Sequence, residues 1–236
     1  MPLRFHVLVV GPLEVNCYIL RDEATGKCAI IDPGGDCDRI VSAAGSPGFR
    51  SPAGGEAEYE VGPTSSSETG ASAKVSGVDW ILLTHGHFDH TYCAGDLATR
   101  FGVRVGIHEA DVPLLGQGLG VAEMFYDVSG CVPVTPTDLL ADGQTITLGE
   151  SKIKVIHTPG HSPGGLSFAT EAGVFCGDAL FAGSIGRTDF PGGSFERLIA
   201  SIRSKLLTLP DSTPLYPGHG PATSVGTERK NNPYLR

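Results

Sequence analysis

The sequence predicts an α/β fold of four layers, two mixed sheets packed face to face with helices on the outside. Three observations lead there. Strand-like and helix-like segments run in the order strands, helices, strands, helices, in two roughly equivalent halves. The chain has 236 residues, 40% of them hydrophobic, which suits a single domain (1–236) with a sizeable core. Finally, four apolar strand-like segments each run directly into a Gly-rich or Pro-rich loop that carries His or Asp. Loops at strand ends on a rigid sheet are where a fold gathers polar groups.

The elements follow in order. Residues 4–10 (RFHVLVV) and 16–20 (NCYIL) read as strands separated by Gly11-Pro12, and 28–34 (CAIIDPG) as a third strand after the polar turn RDEATGK. Residues 37–44 (CDRIVSAA) form a short amphipathic helix. The character then changes: 45–76 are rich in Gly, Pro, Ser and Glu and poor in branched apolar residues. Such a stretch cannot bury enough surface to offset its ordering entropy, so a flexible insertion is expected. Order resumes with a strand at 81–83, a helix at 92–101, a strand at 102–108 and a helix at 109–115. Residues 116–137 are irregular and include Phe125 and Tyr126, which suit the lining of a cleft. Strands return at 144–149, 152–157, 165–170 and 173–180, and a last long helix occupies 194–207. A short strand and loop lie within 213–223.

Composition narrows the function. The formal net charge of -9 lacks the basic footprint of a nucleic-acid binder, so no nucleic-acid partner is expected. No apolar run approaches the ~20 residues that span a bilayer, so no membrane partner is expected either. The short apolar run at 5–10 has no basic leader or small-residue cleavage site and reads as a strand, not a signal peptide. The 6 cysteines are scattered without a C-x-x-C pair, a usage that fits a reducing compartment and makes the cytoplasm the expected location. Cys93 reads as a small apolar residue in a helix.

The chemistry is concentrated in the four loops. Residues 85–90 read HGHFDH, and His85 and His87, two apart on an extended segment, project to the same side. Asp89 and His90 follow as the chain turns into a helix, and face a second position. His161 (in VIHTPGHSPGG), Asp178 (in VFCGDALFAG) and His219 (in LYPGHGPAT) arrive from the other three loops. Five imidazoles and two carboxylates exceed the needs of one tetrahedral zinc and suit two ions that share a carboxylate. A nitrogen and oxygen donor set suits two divalent ions, zinc first, with iron or manganese as alternatives.

The stretch HGHFDH matches in full the H-x-H-x-D-H signature of the metallo-β-lactamase-fold superfamily, which this chain resembles everywhere except 45–76. The resemblance implies the four-layer αββα sandwich of that family. It also implies a first ion held by His85, His87 and His161, a second held by Asp89, His90 and His219, and Asp178 bridging the two. Within the superfamily, LFAGSIGRTDFPGG (180–193) resembles the glyoxalase II and persulfide dioxygenase branch. The ending GHGPATSVGTERKNNPYL resembles small glyoxalase II-like hydrolases that lack the helical domain with which glyoxalase II contacts glutathione. The implied activity is hydrolysis of thioesters such as S-2-hydroxyacylglutathione by a hydroxide held between two ions, with Asp89 orienting it. The small-molecule thioester is the implied partner. The rival reading is a mononuclear iron persulfide dioxygenase using His85, His161 and Asp178.

Other polar residues carry lesser expectations. Asp32, at the end of a strand, is expected to orient a metal-bound histidine through a hydrogen bond. His157 is expected to be structural or to stand behind the ligands, and His6 and His108 to be ordinary strand-end or surface residues. Arg187 is a candidate substrate contact, the alternative being an Arg187–Asp189 ion pair that braces the loop beside Asp178.

Overall fold

The computed structural model describes residues 3–45, 77–116, 123, 124, 129 and 131–236. From residue 46 onward the expected insertion lies outside the described residues, as do Phe125 and Tyr126.

One sheet is built from β1 (Leu3–Val10), β2 (Val15–Asp22), β3 (Cys28–Ile31), β4 (Val78–Leu82), β5 (Arg104–Ile107) and β6 (Asp138–Leu139), in that spatial order. Its first three strands pair antiparallel and the remainder parallel. The second sheet is formed by β7 (Thr145–Leu148), β8 (Ser151–His157), β9 (Leu166–Thr170), β10 (Gly173–Gly177), β13 (Pro214–Pro217) and β14 (Thr223–Ser224), in the order β14-β13-β10-β9-β8-β7. Only β10 and β13 pair parallel in it. Between them β11 (Leu180–Phe181) and β12 (Ser184–Ile185) form a separate small hairpin.

Both faces of the central strands are apolar because each faces a layer. Along β2, Tyr18 and Leu20 point to the other sheet while Cys17 and Ile19 point outward; along β4, Trp80 and Leu82 point inward and Ile81 outward. The inner faces meet in a core containing Phe5, Tyr18, Phe168, Phe175 and Tyr216, with Phe5 and Phe175 edge to face at 5.3 Å. The outer face of the first sheet is covered by α1 (Cys37–Gly45) and α3 (Ala94–Phe101), through Ile40, Ala44, Ala94 and Leu97. The second is covered by α4 (Phe195–Ser201), its π-helical continuation Ile202–Leu206, and α5 (Val225–Asn231), through Leu198, Ile202, Leu206 and Val225. Three apolar layers between four structural layers make the αββα sandwich. Among the described residues no helix is long and apolar enough to cross a membrane.

Several local expectations are corrected. The strand expected over 28–34 stops at Ile31, because Asp32 takes a left-handed backbone (φ +50°) that ends the ladder. The strand expected over 173–180 stops at Gly177 for the same reason (φ +49°), and Leu180 pairs instead with Ile185. Residues Glu109–Leu114 form a 3₁₀ turn, not an α-helix, since Pro113 lacks a backbone donor and the His108 side chain accepts from the Ala110 N–H.

Cys93 is corrected as well. It forms a disulfide with Cys37, across a sequence separation of 56, joining the start of α1 to the start of α3. Spacing gives no sign of this pair, which only the packing of α1 beside α3 brings within reach. Cys17, Cys28, Cys131 and Cys176 remain free.

Candidate metal centre

The strand directions gather the polar loops at one edge. β3 and β4 run parallel, and Asp32 and Thr84-His85 follow their C-terminal ends. β10 and β13 run parallel, and β8, antiparallel to an antiparallel neighbour, shares their direction, so His161, Asp178 and His219 also follow C-terminal ends. The two sheet edges are tied together by backbone bonds from Asn16 N–H to Gly218 O (2.8 Å) and from Leu166 N–H to Thr84 O (2.7 Å). α2 (Phe88–Thr91) then turns Asp89 and His90 toward the same space.

Two triads result. His85, His87 and His161 hold donor atoms within 4.8 Å of one another, and so do Asp89, His90 and His219. In the first, His87 Nδ1 lies 3.0 Å from His161 Nε2. In the second, His90 Nε2 lies 3.3 Å from His219 Nε2, and Asp89 Oδ2 lies 3.4 Å from His219 Nε2 and 3.6 Å from His90 Nε2. Tetrahedral coordination with bonds of ~2.0–2.1 Å sets donors about 3.3 Å apart, so these spacings suit ligands to one ion each. Asp178 stands between the triads. Its Oδ2 is 3.6 Å from His161 Nε2 and 3.7 Å from His219 Nε2, and its Oδ1 is 3.5 Å from His90 Nε2.

Neighbouring acceptors fix which nitrogen carries the proton in three of the rings. His161 Nδ1 faces the Arg187 carbonyl at 2.7 Å and must donate to it, which leaves Nε2 its lone pair. Thr84 gives its hydroxyl proton to Asp32 Oδ2 (2.6 Å), so it accepts from His85 Nδ1 (3.0 Å), and His85 Nε2 is bare. His90 Nδ1 donates to the same Asp32 Oδ2 at 3.0 Å, while Asp32 Oδ1 accepts from the Thr84 N–H at 2.8 Å. Asp32, His85 and His90 also cluster, but Asp32 is saturated by these donors.

The donor set fits metal ions on its own terms. His85 Nε2 and Asp178 Oδ1 are buried and have no hydrogen-bond partner, a costly arrangement that a cation relieves. Burial, and then the neighbouring imidazoles of His90, His87 and His161, hold the His85 ring well below its usual pKa. The same causes, burial first and His161 next, lower His87 to about 4. Both rings are therefore neutral ligands at pH 7. Burial favours a neutral Asp178 and a neutral Asp89, but the imidazoles around each outweigh it and hold both below the usual carboxylate range. For His90 and His219 burial again opposes charge, and the carboxylates of Asp178 and Asp89 win, raising both. Gly218 is required here: a Cβ would strike the Asp178 carboxylate and stand 2.7 Å from the His90 ring.

The remaining sequence candidates fall around this centre. Arg187 reaches the ligands only through its carbonyl. Its exposed guanidinium forms a two-pronged pair with Asp189 (3.0 and 2.8 Å) and lies 4.2 Å over the Phe190 ring, and Phe190 in turn sits 5.3 Å from His87. His157 stacks on His108 at 4.1 Å and directs Nε2 to the Pro163 carbonyl at 3.1 Å. Sequence reasoning missed Thr84, Asp111 and Phe190; Thr84 was within reach, being adjacent to His85. Cys176 offers no nucleophile, because burial pushes its thiol up to about 12.

Comparison with known proteins agrees with the geometry. The sequence profile of the metallo-beta-lactamase superfamily matches residues 10–219. A probable metallo-hydrolase, YqgX of Bacillus subtilis, is 34% identical over 99% of this chain and 98% of its own length. Hydroxyacylglutathione hydrolase GloC of Haemophilus influenzae is 32% identical over 99% and 98%. Among solved structures, TTHA1623 in a di-iron-bound form superposes with TM-score 0.74 at 33% identity, covering 96% of this chain and 98% of that one. The B3 metallo-beta-lactamase BLEG-1 gives 0.74 at 31% identity, covering 98% and 99%. The chain belongs to the metallo-β-lactamase superfamily.

Proposed function

We propose that this protein is a dinuclear metal-dependent hydrolase that cleaves thioesters of the S-2-hydroxyacylglutathione type. The observation that carries the two-ion reading is Asp178, whose two oxygens face donors of both triads at 3.5–3.7 Å. The thioester reading is supported by the 32% identity to the Haemophilus hydroxyacylglutathione hydrolase across nearly all of both chains.

His85, His87 and His161 would hold one ion and Asp89, His90 and His219 the other, with Asp178 facing both. When bound, two such ions lower the pKa of a water toward ~7 and polarise the thioester carbonyl. The protein's part is to keep His85 and His87 neutral and to aim the ligand rings. Burial keeps His85 and His87 unprotonated, Asp32 aims His90, and the Arg187 carbonyl aims His161. Asp89, its carboxylate ionised, would accept a hydrogen bond from the O–H of such a water and so orient it. The leaving group is a thiolate, whose parent thiol has a pKa of about 8.5, so departure needs no strong general acid. Zinc is the proposed ion, with iron the alternative given the likeness to a di-iron-bound structure.

A second reading rests on the stretch 186–190 (GRTDF), which lies against the first triad and is similar to persulfide dioxygenases: one iron per chain and oxidation of a glutathione persulfide. A third substrate class, β-lactams, is raised by the likeness to BLEG-1. The experiment is metal analysis of the purified protein with three assays run side by side: S-lactoylglutathione hydrolysis, oxygen uptake with glutathione persulfide, and hydrolysis of a chromogenic cephalosporin. Two ions with rapid thioester cleavage support the proposal. One iron with oxygen uptake, or cephalosporin cleavage exceeding thioester cleavage, replaces it.

A further inference from the structure

Asp111 stands outside the ligand set, in the 3₁₀ turn after β5, yet it touches both loops of the first triad. It is fully buried. Its Oδ2 accepts from the Gly86 N–H, between His85 and His87, at 3.0 Å, and from Ser162 Oγ, next to His161, at 2.7 Å. Its Oδ1 accepts from the Gly164 N–H at 2.5 Å. One carboxylate thus clamps the two loops whose ring nitrogens, His87 Nδ1 and His161 Nε2, stand 3.0 Å apart.

Two further observations bear on the clamp. The glycines at its ends are cut to fit it. A Cβ on Gly86 would stand 2.7 Å from the Asp111 carbonyl oxygen, and one on Gly164 2.8 Å from its carboxyl carbon. Among the described residues Asp111 has no ion pair with a cationic side chain, only these three neutral donors. A buried anion with neutral partners costs stability unless it serves something else. A divalent cation held by the neighbouring histidines would supply the missing charge.

We propose that Asp111 is a positioning residue for the first metal site: it sets the separation of the HGH and His161 loops so that their three histidines share one ion. An amide cannot replace it. Asparagine offers one oxygen, and its NH₂ would face an N–H or O–H donor. The inference rests on the two-ion reading of the centre, and its test counts ions separately.

The test uses metal-stripped full-length protein, Zn²⁺ titrated against a chromogenic chelator, and denaturant unfolding of the same metal-free samples. Asp111→Asn is made in two backgrounds: His219→Ala, which keeps the first site, and His87→Ala, which keeps the second. Asp111→Asn is expected to weaken the ion in the His219→Ala background by roughly 10- to 100-fold, the usual effect of losing a ligand-orienting partner, and to leave the His87→Ala background within about 2-fold. Ser162→Ala, which removes one bond of the clamp, gives a smaller change of the same selectivity and decides the matter if Asp111→Asn does not fold. Ser151→Ala is the control for a buried carboxylate remote from the triads, since its hydroxyl donates to Asp22 at 2.6 Å; it shifts unfolding without shifting zinc affinity. Equal weakening of both sites, or of neither, overturns the inference. A wild type that takes up fewer than two ions overturns the two-ion reading instead.

Discussion

His90 donates its Nδ1–H to Asp32 Oδ2 at 3.0 Å, and that bond turns its Nε2 toward Asp89, Asp178 and His219. The same carboxylate receives the Thr84 hydroxyl that orders His85, so one buried Asp reaches a ligand of each ion. Asp32→Ala leaves His90 free to rotate and strips the Thr84 N–H of its acceptor. The expected result is a roughly 10- to 100-fold loss of affinity at the second site, with a smaller loss at the first, read by zinc titration.

Asp178→Ala removes the group that faces both triads. The variant is expected to hold at most one ion tightly, by elemental analysis, and to lose on the order of 10²–10³ in thioester turnover, since each ion supplies several kcal/mol of charge stabilisation.

Arg187→Ala separates side chain from backbone. His161 is ordered by the Arg187 carbonyl, which alanine keeps, so metal content and unfolding midpoint are expected to stay at the wild-type value. The guanidinium is held by Asp189 over Phe190, beside His87, and we propose that from there it contacts substrate. A several-fold rise in KM with kcat retained, in steady-state kinetics, is the expected outcome.

Asp22 gives the pH dependence. Burial works against its charge, but donors from Ser151 and Thr25 prevail and lower it to about 2. Its folded pKa lies below its unfolded value near 3.9, so the unfolded chain binds the proton first as pH falls. The stability it contributes is complete above pH ~4 and is lost as pH falls toward about 2. Urea midpoints of the metal-free protein across that window decline more steeply for wild type than for Asp22→Asn.

The Cys37–Cys93 disulfide closes a loop with a sequence separation of 56. In the chain-entropy account a closure of that length contributes about 4 kcal/mol. The double variant Cys37→Ser, Cys93→Ala is expected to lose that amount in denaturant unfolding, with zinc stoichiometry kept.

How far the sequence discloses this molecule depends on how local the signal is. The seven ligand-type residues are legible because each follows an apolar strand within a few positions and sits among glycines, and the αββα layering because strand runs such as CAII and WIL are apolar on both faces. Asp111 is not legible: it lies 21 residues past His90 in an unremarkable EADVPL turn, and its role arises only when the HGH and His161 loops close on it. Cys37 and Cys93 stay unread for the same reason. Strand ends fail where one backbone angle decides them, as at Asp32 and Gly177. Substrate choice is the least local property of all, since no single stretch of the sequence carries it.

The central claim is two ions acting together on a thioester. The most direct measurement is the rate of S-lactoylglutathione hydrolysis as zinc is returned to the metal-free protein, plotted against ions bound per chain. The rate is expected to stay low through the first equivalent and to reach its maximum at two. Full activity at one ion per chain, or no thioester cleavage with two bound, would contradict the account.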